Sequence, residues 1–149
     1  MKSRRVAALS LICEIIAPIV VGGVIYILWR PTSLLLFSWL RVLHLYKPVT
    51  ALRLVVHSAS PNLIGWWLFS LPAGLWMYSF VAALGIIWSS GPIKWFWFWT
   101  SGALLIGIGS EFSQLFGILS GRFDVFDLVT YFGAWSLAIY SASKRREHA

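Results

Sequence analysis

Gly109-Ser110-Glu111-Phe112-Ser113-Gln114, followed by Gly121-Arg122-Phe123-Asp124-Val125-Phe126-Asp127 and then Tyr131, is a polar stretch set between apolar runs. The chain is 59% hydrophobic and 11% charged, yet three of its five acids (Glu111, Asp124, Asp127) fall here together with Arg122. Ionisable groups at membrane depth are costly and mark function by default. Gly107, Glu111 and Gln114 recur at four and three residues, so they share one side of a helix, the glycine leaving space beside the carboxylate. Asp124, Asp127 and Tyr131 recur at three and four and line one side of the next helix. The connection between them is short and ends in Gly121, which predicts two antiparallel neighbours whose polar faces meet. Arg122 is the only cation in that turn.

The rest of the composition sets the class. At 149 residues, 17% aromatic and a mean hydropathy of +0.80, the chain is too hydrophobic for an ordinary soluble domain and too short for more than one. It reads as all-α, a polytopic membrane protein in a single domain. The net charge of +7 would point to nucleic acid in a soluble chain. In a membrane chain it places basic residues at loops and ends, so no nucleic-acid partner is expected. The single Cys13 offers neither an intramolecular disulfide nor a cysteine-based metal site.

Four spans are predicted, about 6–29, 74–89, 94–117 and 124–142. After Lys2, Arg4 and Arg5, Val6 to Trp29 is apolar and long enough for a core of about 30 Å. Tyr26 and Trp29 at its end favour a retained helix over a signal peptide. Pro18 is expected to kink it, and Glu14 to pair with a neighbouring helix or hold a proton. Residues 33–58 read as an amphipathic interfacial segment, with Arg41, Lys47 and Arg53 in the headgroups and His44 and His57 at the surface. Ser58 to Asn62 and Ser70-Leu71-Pro72 punctuate the chain before the second span, and Ser89-Ser90-Gly91-Pro92 turns into the third. Trp95, Trp97 and Trp99 form an aromatic girdle, and Lys144-Arg145-Arg146 stops the fourth span.

The pattern Glu111-x-x-Gln114, then Gly121-Arg122-Phe123-Asp124-x-x-Asp127 and a polar residue four positions on, resembles the C-terminal signature of the VanZ-like family of small bacterial membrane proteins. The resemblance covers about residues 107 to 135. Leu71-Pro72 with Trp76 and Tyr78 is similar to the entry of the second span in some short members. Two positions depart: the family usually has Asn where Tyr131 stands, and its next Gly would fall at Ala134, next to Gly133. The resemblance implies a bacterial cytoplasmic (inner) membrane protein of the cell envelope, in a family linked to resistance to the glycopeptide teicoplanin.

With four spans both ends share one side, which then holds seven of the twelve basic residues. Both termini are therefore expected in the cytoplasm and the polar cluster near the outer surface. Three acids against Arg122 require either a proton on one acid or a bound cation. Three uses stay open. Asp124 can cap the last helix while Arg122 bridges to Glu111, a structural cluster. Arg122, Gln114, Asp124 and Tyr131 can bind the headgroup of a membrane lipid or amphiphile. Glu111 and Asp127 can act as acid and base on a lipid-linked substrate, or two carboxylates can hold a divalent metal, although no His-based motif or nucleophile accompanies them. Whether a cofactor is used is left open. Association with further copies of the chain is left open.

Overall fold

The computed structural model describes residues 11–59 and 65–147. The basic start (Lys2, Arg4, Arg5), the Val6 beginning of the first span and most of the Ser58–Asn62 punctuation lie outside them. The described residues are helical and contain no strand: α1 (Ile12–Trp29), α2 (Leu35–Val42), α3 (Tyr46–Ala59), α4 (Trp66–Ile87), α5 (Ile93–Leu115) and α6 (Val125–Glu147). Three of the six, α1, α4 and α6, are long and apolar enough to cross a membrane. That is the mark of a membrane protein. α5 has 23 residues, a rise of about 34 Å, but Lys94, its tryptophans, Glu111 and Gln114 dilute its apolar character.

α4 is the central helix. Of its apolar stretch 44% is buried inside the protein, against 11% for α1 and α6, and it packs most extensively on α6, then on α1, and much less on α5. The α4–α6 contact is made by small residues. A Cβ on Gly74 would lie 3.1 Å from the Thr130 side chain, and one on Gly85 2.8 Å from that of Ala142. Thr130, Ala134, Ala138 and Ala142 recur every fourth residue, and Ala138 and Ala142 are fully buried. Small residues at this spacing let helices approach closely where lipid supplies no hydrophobic drive. Gly22 does the same for α1, facing the Trp76 indole.

The helix boundaries correct the sequence reading at the second span. Ser70-Leu71-Pro72 is not a break: α4 begins at Trp66 and runs through Pro72. Pro72 withholds an N–H from the carbonyl four residues back, and membrane helices tolerate this when neighbours serve the backbone. Here Arg30 Nη2 donates to Phe69 O at 2.7 Å and Thr130 Oγ1 to Ser70 O at 3.4 Å. In α1 the expected disturbance at Pro18 takes the form of a π turn over Ile12–Ile16, in which the Ala17 N–H donates to Ile12 O.

The segment expected at the interface packs on the end of α1. The Arg53 guanidinium donates to Ile27 O and, at 3.0 Å, to Arg30 O, while the exposed His57 bonds Leu28 O through Nε2 at 2.9 Å. One turn apart on α3, these two side chains serve the carbonyls that the end of α1 leaves without helical partners. Arg53 also lies 5.2 Å over the ring of fully buried Phe37 in α2. The α2–α3 turn closes with His44 at φ +58, its N–H and that of Leu45 donating to Arg41 O and Leu40 O, a Schellman ending without the usual glycine.

α1 runs antiparallel to α4 and α6, which run parallel to each other, Gly74 meeting Thr130 and Gly85 meeting Ala142, with α5 returning between them. At one end Glu14 of α1 pairs with Arg145 of α6, and Arg146 donates to Trp88 O and, at 2.9 Å, to Gly91 O in the α4–α5 turn. Glu14 is thus a paired residue. The other end gathers Arg30, the start of α4, the end of α5 and the start of α6.

Candidate functional site

The α5–α6 connection is built to hold the polar residues together. α5 ends in a Schellman motif: Gly117 has φ +69, its N–H donates to Gln114 O at 3.1 Å, and that of Ile118 to Ser113 O at 2.8 Å. Gly121 has φ +151, and a Cβ there would lie 2.3 Å from Gln114 Oε1, so glycine is needed for both backbone and contact. α6 then starts with Asp124 as its cap, Oδ1 accepting the Phe126 N–H at 2.9 Å. Asp127 sits in the first turn and Tyr131 one turn further. Gly107 on α5 faces Tyr131 and Met77, a Cβ there coming within 3.4 Å of the tyrosine ring.

Glu111 is the buried centre, 2% exposed. Its Oε2 accepts the Asp124 N–H at 3.3 Å and its Oε1 the Gln114 side-chain amide at 3.4 Å. The carboxylate therefore ties the end of α5 to the start of α6 through backbone. Arg122 does not bridge to it: it is exposed and makes no hydrogen bond or ion pair among the described residues.

All six residues singled out in the sequence, Glu111, Gln114, Arg122, Asp124, Asp127 and Tyr131, line one cavity of about 980 Å³. Its remaining wall is largely apolar and comes from α4 and α5: Phe69, Trp76, Met77, Phe80, Ala103 and Ile106. The cavity is polar at the α5–α6 connection and hydrocarbon-like along the helices, the composition of a pocket for an amphiphile.

Arg122 is not the only cation. Arg30, from the end of α1, also lines the cavity, its guanidinium 5.5 Å over Tyr26 and 5.6 Å over Phe69. Three acids thus face two arginines. Of the five buried side-chain atoms without a partner among the described residues, two belong to residues that line the cavity, Arg30 Nε and Asp127 Oδ1. In sequence Arg30 follows Trp29 at the end of an apolar run, as any interfacial arginine would, and only the tertiary fold carries it to the site. No group of three or more His, Cys, Asp or Glu among the described residues could hold a metal ion, and no His or Cys lines the cavity.

No family model, curated protein or solved structure matches this chain.

Proposed function

We propose that the chain is a VanZ-like membrane protein that binds the headgroup of a cell-envelope lipid or amphiphilic drug in this cavity. In this reading α5 is the third of four spans, α2 and α3 lie in the interface, both termini are cytoplasmic and the cavity faces outward. The observation that carries it is the joining, in one space, of every polar residue of the α5–α6 signature with an apolar wall as long as a lipid tail requires. α5 supports the four-span reading by its length and by Trp95, Trp97 and Trp99, each between 43% and 48% exposed near its start, where interface anchors belong.

The structural reading accounts for less. It explains Asp124, which caps α6, but leaves Arg122 without the bridge to Glu111 and Asp127 Oδ1 without a donor. An enzymatic reading draws on the burial of Glu111 beside the cavity, a setting for a general acid or base. Glu111→Gln keeps the shape and removes the charge. Normal abundance in the membrane with saturable lipid binding weakened about tenfold, as the Asp124 N–H loses its charged acceptor and the start of α6 is no longer tied to α5, is the expected result. Loss of the protein itself favours the structural role, and product formation from a lipid substrate by the purified wild type favours the enzyme.

A further inference from the structure

The mixed charge of the lining specifies the occupant more narrowly, given the headgroup-binding reading on which this step rests. Arg30 and Asp127 both line the cavity, and each has one inner atom, Nε and Oδ1, buried without a partner among the described residues, so no second protein group already claims these charges. Leaving such groups unmade is expensive, more so for charged ones. A purely anionic headgroup would satisfy the arginines but sit against three carboxylates. A purely cationic one would leave two guanidinium groups facing it. A headgroup carrying both charges suits both the guanidinium groups and the carboxylates. Its cation must also carry N–H, because a quaternary ammonium has no hydrogen to give Asp127.

The apolar side sets the rest of the molecule. From Phe69 to Phe80 α4 rises about 16 Å, close to half of a core of about 30 Å, so the cavity wall follows one leaflet. Trp76 and Phe80 also border a second, apolar cavity of about 440 Å³ between α1 and α4, an open groove lined on the other side by Ile15 and Ile19. An acyl chain leaving the polar end has a slot on either side of these two rings. We propose that the site takes an aminophospholipid, its phosphate facing Arg30 and Arg122, its primary ammonium on Asp127, and its chains passing Trp76 and Phe80.

The test is a competition among phosphatidylethanolamine, phosphatidylglycerol and phosphatidylcholine with matched chains, offered in equal amounts to the purified full-length protein in detergent and counted as bound lipid by native mass spectrometry. The wild type should retain phosphatidylethanolamine about tenfold over either competitor, the discrimination of one hydrogen bond to a charged group. Asp127→Asn, with its melting temperature measured alongside, should bring that ratio towards one, and Arg122→Gln, at an exposed position, should weaken phosphatidylethanolamine and phosphatidylglycerol alike. Equal retention of the three lipids by the wild type, or an unchanged preference in Asp127→Asn, overturns the assignment while leaving a headgroup site. Displacement of the lipid by free phosphoethanolamine at equal concentration overturns the role of the acyl slots. No retention of any lipid removes the binding reading itself.

Discussion

Gly121→Ala is the sharpest probe of how the connection holds the site. At φ +151 an alanine sits in a region that is nearly glycine-only, at a cost of about 1–3 kcal/mol. Its Cβ would also come to 2.3 Å from Gln114 Oε1, a distance no real contact tolerates, so the amide must swing away from Glu111. That loses the 3.4 Å contact, long for a hydrogen bond and worth about 1 kcal/mol. The sum is about 2–4 kcal/mol, or a fall in Tm of roughly 5–15 °C for a chain of this size. A cycle with Gln114→Ala separates the parts. Gln114→Ala alone should cost about 1 kcal/mol; with the amide already gone, Gly121→Ala should add only the backbone strain, so the double variant is less destabilised than the sum of the singles by about 1 kcal/mol. Thermal unfolding in detergent reads all four proteins. A Gly121→Ala protein as stable as wild type, or strict additivity, would refute the reasoning.

Other positions give independent checks. His44→Gly relieves a left-handed residue in the α2–α3 turn and should raise stability by about 0.5–1 kcal/mol, seen as a higher Tm; a lower one would mean that the imidazole does something there beyond filling the turn. Glu14→Gln leaves Arg145 without its partner at a half-buried site and should cost about 1–3 kcal/mol, with Glu14→Gln/Arg145→Gln recovering part of the loss. Equal destabilisation in single and double variants would deny the pair any coupling. Arg53→Met strips two carbonyls at the end of α1 of their donor and should cost about 2–3 kcal/mol. Arg53→Lys should restore little of it, since one ammonium cannot fork to both, and full rescue by lysine would show that charge alone matters.

What could be read from the chain were the features that repeat along one helix. The three- and four-residue spacings of Glu111 with Gln114, and of Asp124 with Asp127 and Tyr131, place those side chains on two facing surfaces because helical geometry is local. What could not be read depended on partners distant in sequence. Arg30 reaches the cavity from 81 positions before Glu111, and an arginine after an apolar run looks the same whether it meets lipid or protein. Arg53 and His57 suit headgroups as well as helix-end carbonyls, so composition leaves the choice open. Pro72 reads as punctuation because a lone helix loses a hydrogen bond there; Arg30 and Thr130, which serve the carbonyls beside the gap, are visible only after folding. The ladder Thr130, Ala134, Ala138, Ala142 is plain in sequence, but nothing along α6 says that α4 rather than α5 is its main partner.

The packing explains why a cavity persists where it does. α6 meets α4 through glycine, alanine and threonine and so lies close to it, and it is held to α5 by the Trp135 indole donating to Thr100 O at 2.9 Å. α4 and α5 touch much less. They face each other with Met77 and Phe80 on one side and Ala103, Ile106 and Gly107 on the other, a row that ends in a glycine where a larger apolar residue would fill space. A fold shaped for stability alone would close that gap, because unfilled volume lowers stability in proportion to its size. The opposite end is closed by Glu14 with Arg145 and by Arg146 on the α4–α5 turn, so the same chain can seal a helix end with charges. At the open end five charged side chains border the space, and the described residues contain no ion pair among them. Charged groups assembled beside a void without pairing with one another are what the proposed headgroup site requires.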